Sequence, residues 1–202
     1  MRKLDLIINK ILHLFELRKI KTKEKTIFLT FDDGPEPGIT EFVLDELRKY
    51  NAKATFFCRG DNAEKYPNLL ESIKVDGHSL GNHTYSHLNS FQTSTNDYIS
   101  NVEKANIIIK SELFRPPWGC ISLPTYLKLI KKYRIIYWSL SSGDTDLDKF
   151  NEVKSLNNLK FKTSKGKIIL FHFCTRHEKE TRKLLPKYLD WLYEQGYKCE
   201  TI

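Results

Sequence analysis

Residues 26–35, TIFLTFDDGP, decide how this chain is read, because an apolar run there ends abruptly in two neighbouring acids. The run at residues 27–31 predicts a buried strand, and the Gly-Pro pair that follows the acids ends it. Asp32 and Asp33 would repel each other and lose hydration there, so a metal ion or a basic residue should compensate them. In α/β proteins, reactive groups occupy the carboxyl ends of strands. The alternative interpretation is a loop that uses Asp-Asp-Gly-Pro only as a turn.

The composition predicts one globular domain with a sizeable core, since 40% of the 202 residues are hydrophobic and 12% are aromatic. The chain carries 33 basic and 25 acidic residues, for a net charge of +8. The basic residues are scattered, whereas nucleic-acid-binding proteins gather them on one face with aromatic residues between them. We therefore expect no nucleic-acid partner. A basic surface suits anionic polymers or membranes, and it equally suits a solvated face of no specific use.

The cysteines show no C-x-x-C spacing, and three of the four have apolar or aromatic neighbours. We interpret Cys58, Cys120, Cys174 and Cys199 as reduced thiols in or near the core. A disulfide framework or a zinc knuckle would need a different spacing. This usage of cysteine fits a reducing compartment.

Residues 1–25 are predicted to form an N-terminal amphipathic helix or extension, because their apolar residues recur at helical spacing. The helix either packs on the domain, which we favour, or lies on a membrane surface where its basic residues meet anionic lipid. No small-residue cleavage site follows it, and no stretch is long enough to span a bilayer. We therefore expect a cytoplasmic protein, or one that is peripheral at the inner face of the membrane.

Beyond residue 25, strand and helix patterns alternate about seven times, which predicts a parallel sheet that is open or closed into a barrel. Polar residues follow several of the strands, and in a barrel those strand ends face one mouth. The predicted strands cover residues 27–31, 52–58, 78–81, 113–114, 134–140, 167–173 and 197–202. The predicted helices cover residues 40–50, 61–77, 93–110, 123–132, 146–161 and 178–195.

A pair of histidines, His83 and His87, lies in the sequence GNHTYSH. On a turn of helix, a spacing of four residues places both imidazoles on one face. Joined to a strand-end carboxylate, the pair would give the two-histidine, one-carboxylate set of a catalytic zinc with an open position for water. The same set also suits non-haem iron, and a lone pair at this spacing is often accidental.

Three further polar residues lie at or after apolar segments. Arg115 follows one such segment and could pair with a carboxylate and keep it ionised, although a surface arginine before a turn is an equal alternative. Asp144 follows the fifth predicted strand. His172 lies within the apolar run ILFHF and reads as a core residue, unless a nearby carboxylate keeps it protonated and oriented.

Taken in order, the short motifs of this chain resemble those of the polysaccharide deacetylases, carbohydrate esterase family 4, also called the nodulation-factor deacetylase homology domain. TFDDGP matches the first motif, HTYSH the second, RPPWG the third and ILFH the fifth. Each motif alone is weak, but the set in this order is specific. The resemblance covers residues 26–202 and implies that they form a catalytic domain, with a single distorted (β/α)7-type barrel of the α/β class.

The fourth motif departs from the family pattern, which often reads Asp-x-x-Asp-Trp. Here Ser141 stands at the first acid, Asp144 at the second and Thr145 at the tryptophan. The acid that matters in the family is the second, which is present. Phe173 follows His172, at a position where many relatives carry an acid.

The resemblance implies a metal-dependent hydrolase that removes N-acetyl groups from an N-acetylated sugar or an oligo- or polysaccharide. Asp33, His83 and His87 would hold a divalent metal, most readily zinc, with cobalt, nickel or manganese as alternatives. Asp32 would take a proton from the attacking water and would be kept ionised by the metal and Arg115.

The resemblance also assigns the other side of the pocket. His172, held protonated by Asp144, would donate a proton to the departing amine. The backbone N–H of Trp118 would meet the oxyanion, and Leu170 would wall the space for the acetyl methyl group.

Two alternatives remain at this point. One is a different hydrolase on the same scaffold, either an O-acetyl esterase or a cyclic-amide hydrolase. The other is a catalytically silent glycan-binding domain. The sequence defines neither the sugar nor the oligomeric state.

Overall fold

The computed structural model describes residues 19–202, so the predicted N-terminal helix lies largely outside the described residues. Within that range, every ladder between named strands is parallel. Seven strands follow the order β5-β4-β3-β2-β1-β7-β6, and β8 pairs with β1. The strands are β1 (Thr26–Asp32), β2 (Ala54–Cys58), β3 (Ser79–Asn82), β4 (Leu113–Phe114), β5 (Arg134–Ile135), β6 (Leu140–Ser141), β7 (Ile168–His172) and β8 (Lys198–Cys199).

Helices follow most of the strands and cover the outside of the sheet. They are α1 (Ile39–Lys49), α2 (Gly60–Lys65), α3 (Pro67–Val75), α4 (Thr95–Ile109), α5 (Leu123–Leu129), α6 (Glu152–Lys162) and α7 (Glu178–Glu194). Short 3-10 turns lie at Pro117–Gly119 and Thr175–His177. Among residues 19–202, no ladder joins the end strands β5 and β6, so the curled sheet is an incompletely closed barrel. The predicted α/β class and distorted barrel are confirmed.

β1 lies at the centre of the sheet, and all seven of its residues are buried. Side chains alternate between the two faces of a strand, so one set faces the helices and the other faces the barrel interior. Leu29 and Phe31 belong to the main core under the helices, whereas Phe28 belongs to a separate apolar cluster. Thr30 and Asp32 fall in the same alternating set as Phe28. The alternation therefore points Asp32 into the barrel.

The ladders align the carboxyl ends of the central strands. Asp32 lies opposite Phe57 of β2 and opposite His172 of β7. Cys58 of β2 lies opposite Asn82 at the end of β3. Residues that directly follow β1, β3 and β7 therefore meet at one mouth of the barrel.

Phe173, which stands where many relatives carry an acid, is a core residue in this chain. It is fully buried, and its ring centroid lies 5.0 Å from that of Phe56 and 6.5 Å from that of Phe31. Aromatic pairs at such separations favour tilted or edge-to-face contacts, as seen here. The side chain of Phe173 therefore packs in the core, and it does not face the pocket.

Two predicted elements were wrong in their continuity. The single helix predicted at residues 61–77 is the pair α2 and α3, because Pro67 begins the second helix where its missing N–H costs nothing. The strand predicted at residues 134–140 is divided into β5 and β6, which lie at opposite ends of the sheet path. The segment between them crosses the opening of the barrel, and its Ile136 and Tyr137 carbonyls accept hydrogen bonds from a side chain instead of a strand.

A third prediction placed a helix at residues 146–161, but α6 begins only at Glu152. The side chain of Asn151 accepts a hydrogen bond from the backbone N–H of Lys154 at 2.9 Å and caps the helix there. The prediction of reduced cysteines is confirmed, since all four are free and three are buried. Within residues 19–202, no helix is long and apolar enough to cross a membrane.

Candidate active site

A cavity of about 560 Å³ opens at the carboxyl ends of β1, β3 and β7. This volume is typical of a small-ligand pocket. Most of the candidate residues line it, and Arg115 and Asp144 lie fully buried behind the wall. The lining candidates are Asp32, Asp33, His83, His87, Trp118, Leu170 and His172.

Asp32 is held from behind by Arg115. Nη1 of Arg115 donates to Oδ1 of Asp32 at 2.7 Å and to the hydroxyl of Thr30 at 2.8 Å. The remaining donors reach the Ile136 and Tyr137 carbonyls at 3.2 and 3.1 Å, and the guanidinium lies 4.1 Å from the centroid of the Phe57 ring. Four of the five N–H donors of Arg115 are thus used within the protein, and the alternative of a surface arginine is wrong. The pairing fixes one oxygen of Asp32 and leaves Oδ2 on the side of His83, 3.9 Å from its Nε2.

His83 and His87 do converge, but they do not lie on a turn of helix. They lie in a loop that follows β3, where Thr84 and His87 have φ angles of 64° and 57°. These left-handed conformations reverse the chain between the two histidines and bring their ring centroids to 5.2 Å. The reversed backbone of the loop therefore brings the two imidazoles together, as a turn of helix would also do.

Left-handed backbone recurs around the pocket at residues other than glycine. Asp33 has φ 82° and Trp118 has φ 63°, in addition to the two residues of the histidine loop. Each such residue costs about 1–3 kcal/mol and persists only where its surroundings impose it. At Asp33 the reversal turns this side chain away from the strand direction of Asp32, so the two neighbouring acids face different partners.

Asp33, His83 and His87 form a set of facing ligand atoms. Oδ1 of Asp33 lies 3.4 Å from Nε2 of His83 and 3.1 Å from Nε2 of His87, and the three groups offer ligand atoms within 4.8 Å of one another. Oδ1 is buried but accepts no hydrogen bond of adequate geometry from the described residues. A buried carboxylate oxygen without a donor is costly, and a cation would compensate it.

The tautomer of His83 agrees with a metal ligand. Its Nδ1 lies 2.7 Å from the carbonyl oxygen of Arg115, and a carbonyl can only accept, so Nδ1 carries the proton. The Nε2 atom of the neutral ring then holds the lone pair and faces Asp33. Metal-binding histidines are usually oriented in this way by a hydrogen bond at the other nitrogen. The residues present therefore fit a divalent metal, and two imidazoles with one carboxylate are a donor set typical of zinc.

His172 and Asp144 form a buried pair on the opposite wall. Nδ1 of His172 lies 3.0 Å from Oδ1 of Asp144, and the backbone N–H of His172 donates to Oδ2 at 2.7 Å. Burial opposes a charge on His172, but the carboxylate of Asp144 outweighs it and raises the pKa of His172 to about 9. The pKa of Asp144 is lowered, because its interactions with His172 outweigh the effect of burial. His172 is thus a protonated imidazole at neutral pH, and Nε2 is its remaining donor.

Leu170 and Trp118 supply the apolar surfaces of the pocket. Leu170 precedes His172 by two residues on β7, so both side chains point to the same face of the sheet. The Trp118 ring is 61% exposed and packs edge-on against His87 at 5.0 Å. Thr145, which stands where the family pattern has a tryptophan, lies exposed at the pocket rim. This side of the pocket is therefore more open than a tryptophan would leave it.

Three residues that the sequence reasoning missed hold these groups in place. The Oδ1 atom of Asn82 accepts from the N–H of Thr84 at 2.9 Å, and Asn101 accepts from the N–H of Tyr85 at 2.8 Å. The hydroxyl of Thr181 on α7 lies 3.0 Å from the backbone carbonyl of His172 and 3.2 Å from Oδ2 of Asp144, and its one proton can be donated to either oxygen. Asn82 could have been found, because an asparagine at a strand end often bonds the backbone two residues on. Asn101 and Thr181 carry no such local signal.

The arrangement pairs a carboxylate, Asp32, with a protonated imidazole, His172, across a pocket that has a cation-binding set between them. A base and an acid on opposite sides of a reacting group suit direct hydrolysis by water, without a covalent intermediate.

Comparison with known proteins agrees with this chemistry. The sequence profile of the polysaccharide deacetylase family matches residues 19–138. A peptidoglycan-N-acetylglucosamine deacetylase of Bacillus cereus is 34% identical over 191 residues, which are 91% of this chain and 89% of that protein. A peptidoglycan-N-acetylmuramic acid deacetylase of Bacillus subtilis is 33% identical over 192 residues, which are 90% of this chain and 71% of that protein.

The solved structures give the same answer for the fold. A peptidoglycan N-acetylglucosamine deacetylase in complex with 4-naphthalen-1-yl-N-oxidanyl-benzamide is similar with a TM-score of 0.85 at 30% identity. The similarity covers 92% of this chain and 89% of that chain. The sequence profile, the curated relatives and the fold thus agree with the resemblance carried by the short motifs. The chain belongs to the polysaccharide deacetylase family.

Proposed function

We propose that this chain is a zinc-dependent hydrolase that removes N-acetyl groups from the amino sugars of peptidoglycan. The observation that carries the proposal is the opposition of two buried pairs across one pocket. Asp32 is paired with Arg115 on one side, and His172 is paired with Asp144 on the other. The residues that would hold the metal lie beside them.

Asp33, His83 and His87 would hold the metal. When bound, a divalent cation polarises the acetyl carbonyl and makes a water molecule more acidic. The hydrogen bond from His83 to the carbonyl of Arg115 couples this ligand to the residue that positions Asp32. Arg115 therefore supports both residues, His83 through its backbone carbonyl and Asp32 through its guanidinium.

Asp32 acts as the general base. Its Oδ1 is occupied by Arg115, so Oδ2 is the oxygen that takes the proton from the attacking water. Arg115 also keeps the carboxylate from rotating, because its other donors are fixed by carbonyls of the backbone. A positioned base of this kind contributes roughly 10²–10⁴-fold to rate.

His172 acts as the general acid. An amine is a poor leaving group, so the nitrogen must receive a proton as the bond to the acetyl carbon breaks. Asp144 holds Nδ1 and keeps the ring charged, which leaves the proton on Nε2 for transfer. The backbone N–H of Trp118 would stabilise the oxyanion, and Leu170 would contact the acetyl methyl group.

Peptidoglycan is the proposed polymer because the two relatives described above are named as peptidoglycan deacetylases. These relatives are named for N-acetylglucosamine and for N-acetylmuramic acid, so both sugars are candidates. The exposed ring of Trp118 at the rim offers a flat apolar surface against which a sugar ring can stack. The net charge of +8 suits an anionic cell-wall polymer.

The test is release of acetate from a panel of substrates, namely N-acetylglucosamine oligomers, peptidoglycan fragments of both sugar types and O-acetylated xylan. Each is assayed with zinc or cobalt added, beside a His87→Ala control. Metal-dependent release from the peptidoglycan fragments, lost in the control, supports the proposal. Release from the acetylated xylan alone would instead identify an O-acetyl esterase. Silence of a metal-loaded protein on every substrate would point to a catalytically silent domain.

A further inference from the structure

A second group of metal-binding side chains lies against the first. Asp33, Cys174 and His177 offer ligand atoms that all fall within 4.8 Å of one another. Cys174 and His177 flank the short turn that follows β7, and both line the same cavity as His172. Neither residue belongs to the acid–base pairs described above, and the family motifs do not include them.

His177 supplies an independent sign that this corner is built for a ligand. The side chain is only 5% exposed, yet its Nδ1 is buried and has no hydrogen-bond partner among the described residues. Oδ1 of Asp33 is likewise buried without a partner. Buried polar atoms without a hydrogen bond are costly, and a cation held by Asp33, Cys174 and His177 would offset that cost.

The donor types indicate which cation. A thiolate, an imidazole and a carboxylate together suit zinc or cobalt and disfavour magnesium or calcium, which prefer oxygen ligands. Ligand atoms of tetrahedral zinc lie roughly 3.3–3.8 Å apart, so the three groups need only a small approach. Binding would release the thiol proton of Cys174 as the sulfur–metal bond forms, and no other reactant is needed.

We infer that Asp33, Cys174 and His177 form a second binding site for a thiophilic divalent cation, and that its occupation inhibits the enzyme. Asp33 belongs to both metal sets, so a second cation draws on a ligand of the first. The ring of His177 also lies 5.1 Å from the ring of His172. A cation on His177 would therefore lie beside the proposed general acid.

Cobalt titration tests the site directly, because a thiolate bound to cobalt gives an intense near-ultraviolet charge-transfer band. The first metal set has no sulfur, so only the second can produce the band. We expect the wild-type protein to develop it at more than one equivalent of cobalt. Cys174→Ser should lose the band while still binding cobalt, and Cys120→Ser, which changes the half-exposed cysteine, should keep it. His177→Gln should weaken the band-forming event about 10–100-fold.

The outcomes separate cleanly. Absence of the band in wild-type protein whose visible spectrum shows bound cobalt would overturn the inference, as would an undiminished band in Cys174→Ser. If His177→Gln bound the band-forming cobalt with unchanged affinity, the imidazole of His177 would not be a ligand of this site. Because Cys174 is buried, Cys174→Ala is a second variant in case the serine variant does not fold.

Inhibition is the second readout. We expect excess zinc to lower the wild-type rate about tenfold and to have a clearly smaller effect in Cys174→Ser, each compared with the same protein at stoichiometric zinc. Equal inhibition of both proteins would refute the inhibitory role. The spectral band reports ligation even if the chain proves to have another activity, so failure of the deacetylase proposal and failure of this inference are distinguishable.

Discussion

Nη1 of Arg115 lies 2.7 Å from Oδ1 of Asp32, and this ion pair is almost wholly withdrawn from water. A buried pair is not by itself a strong source of stability, because both charges lose their hydration. Removing one partner is far more damaging, since the other charge is left uncompensated. Arg115 also serves Thr30 and two backbone carbonyls, so no shorter side chain can take its place.

Arg115→Lys should therefore destabilise the protein by about 3–5 kcal/mol, because an ammonium cannot reproduce the planar fork of donors. The free energy of unfolding is measured by denaturant titration at neutral pH. The matched control is Arg134→Lys, at an exposed arginine on β5, where a change within about 0.5 kcal/mol is expected. Similar losses in both variants would show that Arg115 is not the support described here.

Substitution of either adjacent acid, Asp32 or Asp33, should inactivate the protein, but for different reasons. Asp32→Asn should keep the metal and lose roughly 10²–10⁴-fold in rate, because only the base is removed. Asp33→Asn should lose metal affinity as well, because a ligand is removed. Metal content by elemental analysis and acetate release are measured on the same preparations. A near-normal rate in Asp32→Asn would rule out this carboxylate as the base.

The pH profile should report the pair of His172 and Asp144. Since the pKa of His172 is raised to about 9, the ring is protonated below that value and the rate should fall as pH rises through it. The same shift contributes stability that is complete below about pH 6.5 and is lost as pH rises through about 9.

Asp144→Asn should move the alkaline limb of the rate to lower pH, toward the ordinary pKa of about 6.5, because burial is then opposed only by the smaller effects of Asp32 and Asp33. Asp146→Asn changes an exposed acid two residues further on and should leave the limb in place. Rates are measured at saturating substrate across the range. If the alkaline limb of the pH–rate profile did not move in Asp144→Asn, a group other than His172 would control it.

Gly34, in the turn after the two acids, has no room for a methyl group. A Cβ atom there would lie 2.4 Å from Cε2 and 2.6 Å from the carbonyl oxygen of Phe173. Gly34→Ala should cost about 1–3 kcal/mol, because the contact with backbone cannot relax by a rotamer change. It should also lower the rate, since the shift reaches Asp33.

Gly196→Ala is the comparison for that experiment. Its Cβ would meet nothing within 4 Å, so only the φ of +70° opposes the change, at about 1 kcal/mol. Unfolding by denaturant ranks the two variants. A milder effect at Gly34 than at Gly196 would contradict the steric account.

The sequence was most informative where the periodicity was long or the motif order was specific. The buried strand before Asp32 and the long helix α7 were predicted nearly to their ends, because each has an unbroken apolar pattern. The pairing of Arg115 with a carboxylate and that of His172 with Asp144 lie across 83 and 28 residues, and only the family motifs made both partners visible together.

Apart from the role of Asn82, the failures have physical causes that no local pattern carries. A four-residue spacing does not distinguish a helical turn from a loop, and backbone N–H groups of the histidine loop are bonded by Asn82 and Asn101, which lie outside HTYSH. The segment between β5 and β6 is predicted as one apolar strand, yet it leaves the sheet, and its Ile136 and Tyr137 carbonyls accept hydrogen bonds from Arg115. The role of Phe173 follows from aromatic packing that is only visible in three dimensions.

The loops at the mouth of the barrel should resist heat less well than the central strands. These loops contain the left-handed residues Asp33, Thr84, His87 and Trp118. The central strands gain from burial, whereas the loops at the mouth keep their shape only as long as neighbouring hydrogen bonds hold them. Local opening draws on the least stable segments first. On warming, the protein should therefore become inactive while its far-ultraviolet circular dichroism is still that of the folded sheet. Bound metal should reduce the difference between the temperature of inactivation and the temperature at which the sheet unfolds.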